Sequence, residues 1–126
     1  MPCADKLEED RATNLLHEGV LRFEEGNYAR AYELLYPLAE VGDAKAQCYV
    51  ASMYQGGLGV AADGALAVLW YLRAAQQDVR KEYVSAIAYN NLATIFTTGM
   101  PKVAADPNLA EIYLLSARRL GLPSGG

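Results

Sequence analysis

The sequence predicts an all-α protein whose six helices form three antiparallel pairs. A pattern of alanine, glycine, aspartate and aromatic residues at 46–77 recurs at 88–121, first at an offset of 42 residues and then at 43. A fixed period in this range is typical of proteins that stack repeated helix pairs. Elsewhere apolar residues recur at three- and four-residue steps, as amphipathic helices require. No segment of the chain requires a β-strand.

The composition limits the kinds of protein that the chain can be. Its 126 residues fit one domain with a sizeable core, because 52% of them are apolar and 21% are charged. The net charge of −4 argues against nucleic-acid binding, which usually requires clustered basic residues. We therefore expect a folded domain rather than a disordered chain or a nucleic-acid binder.

The start of the chain and its two cysteines bear on its location. The first residues, MPCADKLEEDR, lack the apolar stretch of a secretion signal. No apolar run reaches the roughly 18 residues that a membrane span needs. Cys3 and Cys48 are too few for a disulfide framework. We expect a cytoplasmic protein, while a periplasmic or secreted location stays open if a signal has been removed.

The first helix pair is predicted at about residues 10–41, and residues 1–9 extend its first helix. An apolar stripe at helical spacing marks that helix: Leu15, Leu16, Gly19, Val20 and Phe23. Gly26 ends it, and Asn27 can cap the second helix. The stripe of the second helix consists of Ala31, Leu34, Leu35, Leu38 and Ala39. Pro37 inside this helix predicts a kink or an early end.

The second pair is predicted at residues 43–77. Asp43 can cap its first helix, and the glycines at 56, 57 and 59 end that helix, since glycine accepts left-handed conformations. Asp63 can cap the next helix, which runs to about Gln77 and is apolar on nearly every side. Such a helix is expected in the middle of the stack, covered on both flanks.

The third pair is predicted at residues 79–120. Its first helix begins with a charged stretch at residues 80–82 and ends at the Gly99-Met100-Pro101 sequence. Asp106 followed by Pro107 predicts the start of the last helix, because aspartate caps a helix and proline fits its first turn. That helix runs to about residue 120, and residues 122–126 are expected to be a disordered tail.

The repeated pattern can be written A-x4-[GA]-x2-[YF]-x2-G-x-G-V-x2-D-x3-A-x2-W-x3-A-A. Its positions are Ala46, Ala51, Tyr54, Gly57, Gly59, Val60, Asp63, Ala67, Trp70, Ala74 and Ala75. This motif resembles the Sel1-like repeat, a relative of the tetratricopeptide repeat. The second copy departs from it at the loop, residues 99–103, and has Tyr113 in place of Trp70. The N-terminal pair looks more like an ordinary tetratricopeptide unit. These resemblances imply a right-handed α-α superhelix, or solenoid, in which the motif residues pack helix against helix.

The resemblance also implies that a partner binds in a concave groove lined by the first helix of each pair. The off-motif residues of the central helix are Cys48, Ser52 and Gln55, and the offset of 42 adds Asn90, Thr94 and Thr97. The first helix is ambiguous in register by one residue, which gives either Leu16, Val20 and Phe23 or His17, Leu21 and Glu24. These side chains predict a non-catalytic module that binds a peptide or protein segment, as a scaffold, adaptor or regulator. A solvated helix face is the equal alternative.

The last helix carries more apolar residues than its packing requires. Ala110, Tyr113 and Ala117 occupy the motif positions, yet further apolar residues define a predicted association face: Leu109, Ile112, Leu115 and Leu120. A terminal helix normally presents a polar outer face, because nothing stacks beyond it. We expect a second copy of the chain, a partner or the remainder of a longer protein to cover this face. A self-associating homodimer is therefore the alternative function.

Catalysis has little support in the sequence. His17 is the single histidine and has no nucleophile at a matching helical step. With two distant cysteines it cannot make a zinc site of three or four ligands. No catalytic residue, metal or cofactor is predicted. The resemblance alone raises a third hypothesis, because cysteine-rich secreted Sel1-like proteins are linked to β-lactam binding or hydrolysis. This chain lacks their cysteine pair in each repeat and would be a cysteine-poor relative.

Overall fold

The computed structural model describes residues 2–77 and 83–121, with side chains from residue 6 onward. Six α-helices account for most of these two ranges: α1 (Pro2–Glu24), α2 (Tyr28–Glu40), α3 (Ala44–Gly56), α4 (Gly64–Gln76), α5 (Val84–Thr98) and α6 (Pro107–Arg119). Within the same ranges, the sole extended pairing is an isolated bridge between Met100 and Val103. The predicted all-α fold is confirmed. The predicted charged start at 80–82 and the predicted tail at 122–126 lie outside the described residues.

Most of the helices begin where the sequence provides a capping side chain. The Asp43 carboxylate accepts a hydrogen bond from the amide three residues ahead at 2.8 Å. Asp63 and Asp106 accept the equivalent bond at 3.1 Å, and Asn27 accepts it at 3.4 Å. Each bond pairs an amide that has no partner inside its own helix. The start of α5 differs, because Tyr83 precedes it with a φ of 58° and makes no side-chain capping bond.

Two helices differ in detail from what their sequences suggest. α2 continues through Pro37 and ends at Glu40, so the proline does not end the helix, although it has no amide hydrogen to donate to the carbonyl oxygen four residues earlier. α4 lies between α3 and α5 and buries residues such as Trp70 and Tyr71. Both flanks of α4 are covered as expected, but Leu69 on its remaining edge is 42% exposed.

The helices pack in chain order, each against the one before it, so that the three pairs stack side by side. Small buried residues lie at matching positions of the first helices: Gly19, Ala51 and Ala93. A Cβ atom on Gly19 would lie 2.6 Å from the Leu35 side chain, so α1 and α2 approach too closely for a larger residue. Gly19 therefore corresponds to Ala51 at an offset of 32 residues. This equivalence aligns one of the two candidate registers of α1 with Cys48, Ser52 and Gln55, namely Leu16, Val20 and Phe23.

Glycines also let the loop of each pair rest on the pair before it. Gly59 has a φ of 74°, and a Cβ atom there would lie 2.8 Å from the carbonyl carbon of Tyr28 at the start of α2. Gly64 starts α4, and a Cβ atom on it would lie 2.5 Å from the carbonyl oxygen of Pro101. The Gly64 amide donates a hydrogen bond to that same oxygen at 3.2 Å. Loop contacts therefore fix the stacking together with the helix contacts.

Candidate protein-interaction sites

The first helices of the three pairs border two adjoining pockets, which form the groove of this protein. The smaller pocket, of about 250 Å³, lies between α3 and α5, and its lining includes Lys45, Tyr49, Ile87 and Asn91. The larger pocket, of about 610 Å³, lies between α1 and α3 and reaches the start of α5. Lys45 and Val84 line both pockets, so the two adjoin at these residues. The groove therefore contacts all three first helices.

The groove contains four of the nine residues predicted for it, Leu16 and Val20 in the larger pocket and Cys48 and Ser52 in the smaller one. His17, from the other candidate register, also lines the larger pocket. Phe23 and Gln55 line neither. The Phe23 ring packs edge-on against other aromatic rings, at 5.2 Å from Tyr28 and 5.1 Å from Tyr49.

Ser52 and Gln55 bind the hydroxyl of a buried tyrosine. Tyr71 donates a hydrogen bond to Gln55 Oε1 at 2.7 Å, and its oxygen lies 2.8 Å from Ser52 Oγ. Because the phenol has one proton, Ser52 is the donor in the second bond. Burial raises the pKa of Tyr71 to about 12. Both polar side chains thus stabilise the pairing of α3 with α4, which is a structural role.

Cys48 lines the groove but is not an activated thiol. Its Sγ atom donates to the carbonyl oxygen of Val84 at 3.7 Å, across the gap between α3 and α5. Burial raises the pKa of the Cys48 thiol to about 12. The thiolate, which is the nucleophilic form, is therefore scarce at neutral pH.

The remaining predicted groove residues, Asn90, Thr94 and Thr97, lie in a different place. They line a cleft of about 570 Å³ between α5 and α6, the C-terminal cleft. Thr94 and Thr97 donate their hydroxyl protons to the carbonyl oxygens four residues earlier, at 3.2 and 2.7 Å. In α3 the corresponding side faces α5, whereas no later helix among the described residues covers that side of α5.

Ile87 and Asn91 of α5 line the groove instead, and sequence reasoning missed them. At the offset of 42 they correspond to Lys45 and Tyr49 of α3, which also line it. Ile87 is 41% exposed although it is a large apolar residue. The repeat offset would have identified Ile87 and Asn91 if it had been applied to Lys45 and Tyr49 rather than to Cys48, Ser52 and Gln55.

The predicted association face is partly exposed. Ile112 and Leu115, one turn apart on α6, are 56% and 46% exposed. Leu109 and Leu120 are half-buried. Leu115 also lines the C-terminal cleft, so part of the predicted face borders that cleft.

Among the residues with described side chains, no group of three or more His, Cys, Asp or Glu is placed to hold a metal ion. None of the helices in the two described ranges combines the length and the apolar character that crossing a membrane requires.

The profile of the Sel1 repeat matches the chain three times, at residues 14–43, 44–79 and 86–122. The chain belongs to the Sel1 repeat family. Its first match includes the N-terminal pair, which therefore is a Sel1 repeat and not the ordinary tetratricopeptide unit that the sequence suggested. Domains of this family are typically protein-interaction modules and are generally non-catalytic.

A solved structure supports the fold of this Sel1 repeat protein. The crystal structure of a Sel1 repeat protein from Oxalobacter formigenes superposes with a TM-score of 0.69 at 24% sequence identity. The match covers 83% of this chain and 39% of that protein, so the chain spans well under half the length of this relative. Comparison with curated protein sequences finds no match.

Proposed function

We propose that residues 10–121 form a non-catalytic module that binds a segment of a partner protein in the groove. The observation that carries this proposal is that the two pockets lie side by side and share Lys45 and Val84 in their linings. One extended or helical segment can therefore contact all three repeats at once. Because the groove is bordered by packed helices, binding requires little ordering of the module itself.

The lining of the groove indicates the chemistry of the segment. Leu16, Val20, Val84 and the exposed Ile87 offer apolar surface, while Asn91 offers polar groups. The Asn91 amide donates to the Ile87 carbonyl at 3.0 Å, which leaves its own oxygen able to accept a hydrogen bond. We expect the segment to insert an apolar side chain into each pocket and to donate a backbone amide to Asn91 in the smaller pocket.

A binding function has more support here than an enzymatic one, including β-lactam hydrolysis. Cys48 and Ser52, two of the potential nucleophiles that line the groove, are both unsuited to attack. Burial raises the pKa of Cys48 to about 12, and Ser52 donates its proton to Tyr71 rather than to a base. We expect the module to act in the cytoplasm, on protein rather than on nucleic acid.

Ile87→Ser tests the groove, with Leu69→Ser as a matched control. Both side chains are exposed to the same degree, 41% and 42%, but Leu69 lies on α4 and lines neither pocket. The probe is a peptide selected from a phage-displayed library, labelled and titrated by fluorescence anisotropy. We expect Ile87→Ser to weaken binding by about tenfold or more and Leu69→Ser to leave it unchanged. Selected peptides that bind both variants as tightly as the native protein would refute the proposal.

A further inference from the structure

The C-terminal cleft, between α5 and α6, corresponds in the repeat to the surface of α3 and α4 that α5 covers. At the offset of 43, its α6 residues Ala110, Leu114 and Arg118 correspond to Ala67, Tyr71 and Ala75 of α4. Those three α4 residues are buried, and α4 packs against α5. The C-terminal cleft therefore has the shape and position of a surface on which a further helix packs.

The cleft differs from its equivalent in charge. Glu111 and Arg118 stand where α4 has Val68 and Ala75, and both are exposed. Neither has an ion-pair partner among the side chains that the structure describes. They lie seven residues apart, about two helical turns, and so on the same side of α6. Two opposite charges thus flank an apolar centre on one helix face.

The centre between these charges consists of Leu114 and Leu115, which both line the cleft. This face is self-complementary when two α6 helices pair in antiparallel orientation around a two-fold axis between Leu114 and Leu115. Glu111 of each copy then lies opposite Arg118 of the other, and Leu114 lies opposite Leu115. An isologous interface requires such a pattern, in which one patch matches itself.

We propose that the C-terminal cleft binds a second copy of this chain through antiparallel contact of the two α6 helices. Charge complementarity identifies the partner as a second copy, because the reversed helix places an opposite charge against both Glu111 and Arg118. Exposed Ile112 lies at the flank of this contact. The proposal goes beyond the groove, which lies along the first helices and stays open in such a dimer.

Open head-to-tail stacking of copies fits the charges poorly. α1 would then sit on α6 as α5 sits on α4, in antiparallel orientation. The positions of α1 correspond to those of α5 at an offset of 74 residues. Exposed Arg11 and Glu18 of α1 would therefore take the places of buried Ser85 and Leu92 of α5. Arg11 would approach Arg118, and Glu18 would approach Glu111. Like charges would meet at both ends, so the closed dimer is favoured over a growing chain of copies.

Charge reversal tests the proposal on the full chain by sedimentation equilibrium over a range of concentrations. We expect a monomer–dimer equilibrium for the native protein. Glu111→Arg and Arg118→Glu should each raise the dissociation constant by about tenfold or more, because like charges then meet across the axis. The double variant restores opposite charges and should return the constant to near its native value. Glu40→Arg, at an exposed position at the end of α2, is the control and should leave the constant unchanged.

Several outcomes would overturn the proposal. A native protein that stays monomeric at every concentration would show that this cleft serves another occupant, such as a further repeat or a different protein. A dimer that resists both single reversals, or that the double reversal fails to restore, would place the contact elsewhere. Circular dichroism of each variant checks that the helices are intact. Binding of the groove peptide to the reversal variants should be unchanged, which keeps this proposal separate from the groove function.

Discussion

Gly64 begins α4 at the point where the loop between α5 and α6 closes onto the second repeat, and we predict that Gly64→Ala weakens this contact. An alanine Cβ atom would lie 2.5 Å from the Pro101 carbonyl oxygen, 2.7 Å from Met100 Cγ and 2.8 Å from Val103 Cγ2. These distances are well inside van der Waals contact. The oxygen belongs to the backbone, so the loop as a whole must move to make room.

The size of the effect follows from three contributions. Overpacking of this kind costs about 1–3 kcal/mol. The shift also weakens the bond between the Gly64 amide and the Pro101 oxygen, now 3.2 Å, which contributes about 1 kcal/mol. Alanine regains up to about 1 kcal/mol through its higher helix propensity. The net loss is about 2 kcal/mol in the free energy of unfolding, equivalent to about 8 °C in Tm for a chain of this length.

Thermal unfolding followed by circular dichroism measures this effect, with Gly56→Ala as the control. Gly56 is also helical, but a Cβ atom there meets the movable Leu58 side chain, at 3.2 Å from its Cγ. We expect Gly56→Ala to unfold at or slightly above the native midpoint. If Gly64→Ala unfolds at the same temperature as the native protein or higher, the loop contact does not constrain the stack as argued.

Buried Tyr71 and half-buried Cys48 give two predictions about pH and reactivity. Burial raises the pKa of Tyr71 to about 12, above the value of about 10 in an unfolded chain, so its contribution to stability is complete below pH 10 and falls as pH rises toward 12. Tyr71→Phe should reduce this alkaline loss of stability, measured by urea titrations at several pH values. It should not abolish the loss, because burial also raises the pKa of Tyr32 and Tyr113. If the free energy of unfolding falls with pH as steeply in the variant as in the native protein, Tyr71 is not the source of the loss. Because burial raises the pKa of Cys48 to about 12, its alkylation by iodoacetamide at pH 8 should be about a thousandfold slower than that of the unfolded chain, measured in a Cys3→Ser variant. A native rate close to the unfolded rate would show that the pKa of the Cys48 thiol is not raised.

Local rules account for the parts of the fold that the sequence predicted. Asp43, Asp63 and Asp106 cap the helices that follow them, because a capping side chain and its target amide are three residues apart in the chain. The repeat offset identified the pairs before any contact was known, since each copy must present the same small residues where helices cross. Ala51 and Ala93 are both buried for that reason.

Part of the groove could also be predicted, but its boundary could not. Leu16, Val20, Cys48 and Ser52 line it, as their off-motif positions suggested. Helical spacing gives the angle between two side chains but not the neighbour that either of them meets. The same spacing therefore gave no sign that Gln55 binds a tyrosine hydroxyl of α4.

By itself the sequence determined an all-α stack of three helix pairs, the last two of them Sel1-like, because caps, glycine exits and small crossing residues act within one pair or between successive pairs. The tertiary structure alone decided which side of each first helix lines the groove. Asn90, Thr94 and Thr97 repeat the positions of Cys48, Ser52 and Gln55, yet they line the C-terminal cleft, while Ile87 and Asn91 line the groove. The physical reason is that α5 covers the equivalent side of the second repeat, whereas no described helix follows α6 to cover it in the third.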